Sequence, residues 1–133
     1  MIGSLSSDPG FNVGDHHLGG DIAEIIVYNT PLNDAQKIIT ENYLSSKYGI
    51  ALAQNDYYAH DAAYNYDVAG IGRVDSDNEH LTAQSAEMLR LYDTTGVDNG
   101  EFLLYGHNND AYNSWNSTEV LQSNFRRIDR EWR

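Results

Sequence analysis

The chain contains 133 residues, with a hydrophobic fraction of 41%, an aromatic fraction of 11% and a formal net charge of −12. This composition suits one globular domain or one and a half small ones, and it is too apolar for a disordered chain. The charge argues against a nucleic acid or an anionic membrane surface as partner. It suits a solvated extracellular surface, divalent cations or simple solubility. No apolar run reaches the roughly 18 residues of a membrane span, and the lack of cysteine excludes disulfides and thiolate metal sites.

The first predicted elements are a loop and a strand. Residues 1–20 are rich in Ser, Gly and Asp, which predicts a loop. Residues 21–29 contain six apolar residues, interrupted only by Glu24. A short, β-branched run without polar alternation predicts a strand that is buried on both faces. We expect the segment after it to cover the second face.

That following segment is predicted to be an amphipathic helix over residues 34–47. Asn33 is the predicted N-cap, and Gln36 is placed for a capping box. Apolar residues recur at spacings of three and four, apart from the polar Asn42. Lys47 suits the negative end of the helix dipole, and Gly49 suits the left-handed position that ends a helix.

The rest of the chain predicts strands after a linker at residues 51–67. Residues 66–74 and 101–106 are predicted strands, and an Asp-Asn-Gly turn precedes the second one. Residues 81–91 fit a helix or a strand, and the alternation at their end favours a strand.

Two glycines and a basic end complete the pattern. Gly70 and Gly72 predict a bend or bulge in a strand, because Asp75 replaces the third glycine of a nucleotide-binding motif. Residues 108–116 predict a polar loop, whereas residues 119–133 are ambiguous. Four of the eight basic residues fall in the last eight positions: Arg126, Arg127, Arg130 and Arg133.

Two parts of the sequence resemble known modules. Residues 20–29, 31–36 and 42–50 resemble the C-terminal end of laminin-G-like, concanavalin-A-like jelly-roll modules of large secreted bacterial surface proteins. Residues 67–73, 84–85, 104–108 and 127–132 resemble the β-rich domain of unknown function that often follows them. The resemblance implies that the strand at 21–29 is the last of a sandwich and that the helix packs against it.

Together, the patterns and the resemblance predict a mainly β fold with one α-helix at about 34–47, a partial jelly-roll edge and a small β-sandwich-like module. The incomplete jelly-roll end is expected at residues 1–53 and the small β-rich module, truncated at its C-terminus, at 54–133. A complete jelly roll needs many more residues before its final strand. We therefore expect a fragment of a longer secreted chain, located outside the cell or on the bacterial cell surface.

The best metal candidate is the acidic stretch that carries Asp75, Asp77 and Glu79. Alternating side-chain oxygens on a tight loop suit Ca²⁺, so these residues are the predicted calcium ligands. The alternative is a solvated acidic turn, because the stretch lacks the EF-hand pattern. The five histidines show no zinc-ligand spacing. Ser85 has no catalytic partner to nominate and no carboxylate pair stands out, so no catalytic residue is assigned.

Aromatic residues are the other candidate ligands. Tyr64, Tyr66, Tyr112 and Trp115 are predicted sugar-stacking residues, with sheet packing as the alternative. By analogy of fold, we expect a non-catalytic structural or adhesive module that binds an extracellular glycan or a surface protein. The alternative is an accessory module of a secreted glycan-active enzyme whose catalytic domain lies elsewhere.

Overall fold

The structure is a computed structural model that describes residues 20–92 and 94–133. The chain divides into two compact units, Met1–Thr30 and Pro31–Arg133, and each is described by itself. Apart from Gly20, the predicted loop over residues 1–20 lies outside the described residues. The module boundary expected after residue 53 stays a prediction.

In the first unit, the described residues 20–30 contain no helix or strand. The predicted strand at 21–29 is therefore wrong, and so is its predicted burial. Its apolar side chains are largely exposed, including Val27 at 86% and Ile25 at 54%. The physical reason is that β propensity measures the fit of a side chain to a sheet surface and does not itself supply the hydrogen-bonded ladder that defines a strand.

The second unit begins with the predicted helix, α1, which spans Asp34–Tyr48. Asn33 caps it: its side-chain oxygen accepts from the Gln36 amide at 2.9 Å, while the Gln36 side chain accepts from the Asn33 amide at 3.0 Å. Gly49 ends the helix in the left-handed conformation, with φ of 64°. The predicted helix, its capping box and its C-terminal glycine are all confirmed. These features were predictable because they depend on local hydrogen bonds and backbone conformation.

Over the described residues after the helix, seven strands form three small antiparallel sheets. They are β1 Tyr66–Asp75, β2 Asn78–His80, β3 Ala83–Ser85, β4 Leu89–Leu91, β5 Glu101–His107, β6 Trp115–Asn116 and β7 Arg127–Ile128. The main sheet has the strand order β2-β1-β5. The strands β3 and β4 form a second sheet, and β6 and β7 form a third. The predicted strands at 66–74 and 101–106 are confirmed, and residues 81–91 form the short β3–β4 hairpin. The fold is mainly β with one helix among the described residues.

The main sheet separates two core clusters. Val68 and Leu104 belong to one cluster and Ile71 and Tyr105 to the other, and alternation along each strand puts them on opposite faces. The α1 residue Tyr43 packs against the first cluster, so the helix covers that face of the sheet. Within the second unit, α1 therefore covers one face of the main sheet.

Gly70 and Gly72 do not form a bulge, so that prediction is wrong. Both pair regularly with β5, whereas the register shifts of β1 lie elsewhere along the strand. A Cβ atom at Gly70 would lie 2.8 Å from Cγ of Leu104, and one at Gly72 would collide with the ring of Phe102. Glycine is thus required here because side chains of β5 lie across the backbone of β1.

The C-terminal segment pairs with the end of β5. The amides of Gly106 and Arg133 each donate to the other residue's carbonyl at 3.0 Å, and Trp132 forms an isolated antiparallel bridge with His107. This pairing anchors the ambiguous C-terminal stretch on the sheet. No helix in the described part of the chain has the length and apolarity needed to cross a membrane.

Asn42, the polar residue on the inner face of α1, is almost fully buried, at 1% exposure. Its side-chain nitrogen donates to the carbonyls of Ile38 and Asn55 at 2.9 and 2.7 Å. Its side-chain oxygen accepts from the amides of Tyr57 and Tyr58 at 2.9 and 3.1 Å. One buried amide thus fastens the helix to the segment that delivers Tyr58 to the core.

Replacing Asn42 by alanine should destabilise the fold by about 3 kcal/mol, because two amides and a carbonyl would lose their buried partner. The free energy of unfolding, measured in urea, checks this. The neighbouring exposed residue supplies the control, since Glu41→Ala should change stability by less than about 0.5 kcal/mol. Equal effects of the two substitutions would contradict the role given to Asn42.

Candidate functional site

A polar, aromatic-walled cleft of about 280 Å³ lies between the end of α1 and the start of β1. Its lining residues are Tyr43, Lys47, Asn65, Tyr66 and Asp67, and we call it the α1–β1 cleft. The Lys47 ammonium donates to the Tyr43 hydroxyl at 2.9 Å, so that wall of the cleft is internally connected. Two aromatic rings with amide, ammonium and carboxylate groups form the kind of lining that fixes the orientation of a small polar ligand.

A bulge in β1 turns Asp67 toward solvent. The register with β5 shifts between Tyr66 and Ala69, and Asp67 has a φ of 46°, in the left-handed region. Its side chain is 61% exposed as a result. Bulges of this kind redirect a side chain away from the regular alternation of a strand. The cleft therefore has a carboxylate and the half-exposed ring of Tyr66 side by side in the sequence.

Tyr66 and Asp67 both contact His107, which is buried at 1% exposure. The Tyr66 ring stacks on the imidazole, with centroids 5.9 Å apart and an angle of 23° between the planes. The Nδ1 atom of His107 accepts the Asn109 amide proton at 2.9 Å. An accepting Nδ1 carries no proton, so Nε2 carries the proton and donates it to Asp67 Oδ2 at 2.9 Å.

This arrangement leaves neither nitrogen of His107 for chemistry. A catalytic histidine needs one ring nitrogen for its orienting carboxylate and the other for the proton it moves, and a metal ligand needs a free lone pair. The Asp67–His107 pair therefore supports the wall of the cleft.

The one fully buried serine among the described residues, Ser85, is likewise used within the protein: its hydroxyl oxygen accepts a hydrogen bond from Trp132 Nε1 at 3.2 Å.

Among the predicted sugar-stacking residues, Tyr64 packs against the core beside Tyr58. Its hydroxyl donates to Glu131 at 2.9 Å, and its carbonyl accepts from the Tyr58 hydroxyl at 2.6 Å. Burial raises the pKa of Tyr58 to about 12. The Tyr64 hydrogen bond, reinforced by Arg127, lowers the pKa of Glu131. These contacts give Tyr64 a packing role.

Tyr112 and Trp115 are exposed at 60% and 59%, and neither lines the α1–β1 cleft. The Arg130 guanidinium lies 5.6 Å from the centre of the Tyr112 ring, and Trp115 pairs with Ile128 across the β6–β7 hairpin. Only Tyr66 of the predicted aromatic ligands thus lies in the cleft. The ligand roles of these aromatic residues stay predictions.

The predicted calcium ligands lie at the β1–β2 turn. Asp75 Oδ1 accepts from the amides of Asp77 and Asn78 at 2.9 and 3.0 Å, and both carboxylate oxygens accept from the Asn78 side chain. Glu79 lies 3.6 Å from Arg73. Over residues 20–92 and 94–133, no group of three or more His, Cys, Asp or Glu side chains is arranged to hold an ion. The turn itself accounts for the Asp75 carboxylate, and calcium binding stays a prediction.

Asp75 should make the fold sensitive to acid. Hydrogen bonds from the Asn78 side chain, and then from the Asp77 amide, lower the pKa of Asp75. A depressed folded pKa stabilises the protein above the unfolded value of about 3.9, and that contribution is lost as pH falls through the folded pKa. Asp75→Asn should therefore lower the urea midpoint at neutral pH and flatten its decline on acidification.

The control for this prediction is Asp77→Asn, because no described residue donates to that carboxylate. Its urea midpoint should decline on acidification as steeply as that of the parent protein. If Asp75→Asn and the parent lost stability in parallel, the carboxylate would have no part in the acid response.

No family model, curated protein or solved structure matches this chain. The cleft must therefore be interpreted from its own residues.

The sequence analysis did not predict the Asp67–His107 pair, although the sequence contains a signal for it. Antiparallel pairing of the predicted strands at 66–74 and 101–106, which the structure shows, brings the start of the first close to the end of the second, where these two residues lie.

Proposed function

We propose that this domain is a non-catalytic binding module that takes a glycan in the α1–β1 cleft. The observation that carries the proposal is the half-exposed Tyr66 ring, held by the His107 imidazole next to the Asp67 carboxylate. A sugar ring has an apolar C–H face and a polar hydroxyl rim. An aromatic face suits the first, and carboxylate and amide oxygens accept hydrogen bonds from the second.

The occupied nitrogens of His107 support a binding role over a catalytic one. General acid–base catalysis needs a group that exchanges its proton with the substrate, and His107 already uses both nitrogens within the protein. Hydrogen bonds to Tyr43 and His107 also hold the Lys47 ammonium and the Asp67 carboxylate before a ligand arrives, which lowers the ordering cost of binding.

The resemblance to laminin-G-like modules supports an adhesive or structural role on a bacterial surface. In this proposal the domain is part of a longer secreted chain and lies outside the cell. The same glycan-binding cleft would serve an accessory module of a glycan-active enzyme. The function proposed for the cleft does not depend on which longer chain carries it.

Tyr66→Ala should weaken binding to neutral oligosaccharides by about tenfold, because it removes the stacking face of the cleft. The probes are soluble cello-, xylo- and chito-oligosaccharides, with affinity measured by calorimetry. Trp115→Ala is the matched control: it removes an exposed aromatic side chain outside the cleft and should leave the affinity unchanged.

Thermal melts of both variants check that the fold is intact. Parent protein that binds none of these sugars, or a folded Tyr66→Ala variant with parental affinity, would refute the proposed function of the cleft.

A further inference from the structure

A second surface, the arginine groove, shares no residue with the α1–β1 cleft. The residues that line this groove of about 370 Å³ are Glu119, Arg127, Ile128, Arg130, Glu131, Trp132 and Arg133. The lining thus contains three cationic and two anionic residues. The local excess of positive charge stands out on a chain whose net charge is −12.

Arg127 is fully engaged within the protein. Its Nε donates to the Thr118 carbonyl at 3.0 Å, one terminal nitrogen pairs with Glu131, and the other lies 3.7 Å from Glu119. Its guanidinium therefore has no unused edge to offer to a ligand. Arg127 holds the two carboxylates of the groove in place.

Arg130 is held in position but lacks a counter-charge. Its Nε donates to the Asp110 carbonyl at 2.7 Å, and its guanidinium lies over the Tyr112 ring. Within the described part of the chain, no carboxylate lies within 4.0 Å of it, and its two terminal nitrogens make no hydrogen bond. Arg130 is intermediate in exposure, so its terminal nitrogens remain open to a ligand that carries negative charge.

Arg133 adds a second, weakly compensated charge. Its guanidinium lies 5.7 Å from the centre of the Tyr64 ring and 3.6 Å from Glu131 Oε2. That carboxylate is already shared with Arg127, so it neutralises neither arginine fully. Two of the predicted sugar-stacking tyrosines, Tyr64 and Tyr112, therefore lie against arginines of the groove.

We propose that the arginine groove binds a carboxylate or sulfate group of an anionic glycan. The terminal nitrogens of Arg130 form a planar fork whose spacing matches two oxygens of either group, and Arg133 supplies a second donor. The exposed Tyr112 ring beside Arg130 gives the sugar that carries the acid an apolar surface. Repulsion from the acidic body is screened beyond about 8 Å at physiological salt, so the short-range contacts with the arginines prevail.

The test measures the binding of anionic polymers at physiological ionic strength. Oligogalacturonide presents carboxylates, dextran sulfate presents sulfates, and neutral dextran presents neither. Parent protein should bind at least one of the two anionic polymers and should not bind neutral dextran. The polymer that binds more tightly identifies the preferred anionic group. Arg130→Gln should lower that affinity by about tenfold, as expected for hydrogen bonds to a charged group.

Arg126→Gln is the matched control, because it makes the same charge change at an exposed position outside the groove. It should leave the affinity unchanged, whereas Arg130→Lys, which keeps the charge and loses the fork, should fall between parent and Arg130→Gln. Thermal melts confirm folding, and a variant that fails to fold is replaced by Arg133→Gln, for which a clear loss is also expected.

Three outcomes would overturn the inference: no binding of either anionic polymer, equal loss in Arg126→Gln and the groove variant, or equal binding of neutral dextran. Equal affinity for poly-glutamate would overturn the glycan assignment in favour of an acidic peptide. Failure of the α1–β1 cleft to bind neutral sugars would leave these results untouched, since the two surfaces use different residues.

Discussion

The four hydrogen bonds of the Asn42 side chain are the constraint on which the second unit depends. Apolar packing of α1 on the sheet is not directional, whereas the buried amide adds directional contacts. By accepting from Tyr57 and Tyr58 and donating to Asn55, it fixes the chain after α1 against the helix. That position places the Tyr58 ring in the core between helix and sheet. The tyrosine in turn donates to the Tyr64 carbonyl, just before the strand that forms one wall of the cleft.

The same rule holds for the largest fully buried side chains. The three largest fully buried side chains, among the described residues, are His107, Asn42 and Ser85, and all three are polar. Each has hydrogen-bond partners within the protein, which is what burial of a polar group requires. Hydrogen bonds of this kind add directional contacts to the core, and they occupy groups that could otherwise react. His107 stabilises Tyr66 by stacking and Asp67 by a hydrogen bond. Both of its ring nitrogens are therefore used within the protein, and neither can exchange a proton with a ligand.

Local signals made the helix predictable. Asn33, Gln36 and Gly49 act through hydrogen bonds and backbone conformations within a few residues, so the sequence pattern determined both ends of α1. The strands β1 and β5 were likewise predictable from their apolar content and the turn before β5. The run at 21–29 had the same apolar content and forms no strand, because a ladder depends on a partner that the run itself does not encode.

The candidate sites depended on tertiary contacts and were harder to predict. Tyr64, Tyr66 and Tyr112 look alike in the sequence, yet one packs in the core, one lines a cleft and one lies under an arginine. Gly72 looked like a bulge, whereas the ring of Phe102 on another strand is what excludes a side chain there. The Asp67–His107 pair joins residues far apart in the chain, and only the register of β1 with β5 brings them together.

The most direct test of this account is the tautomer of His107. A long-range ¹H–¹⁵N correlation spectrum of labelled protein near neutral pH distinguishes the protonated ring nitrogen from the unprotonated one. The account predicts a proton on Nε2, directed at Asp67, and an unprotonated Nδ1 that accepts from Asn109. A proton on Nδ1 with an unprotonated Nε2 would contradict it, because His107 would then have a lone pair free for catalysis or metal binding.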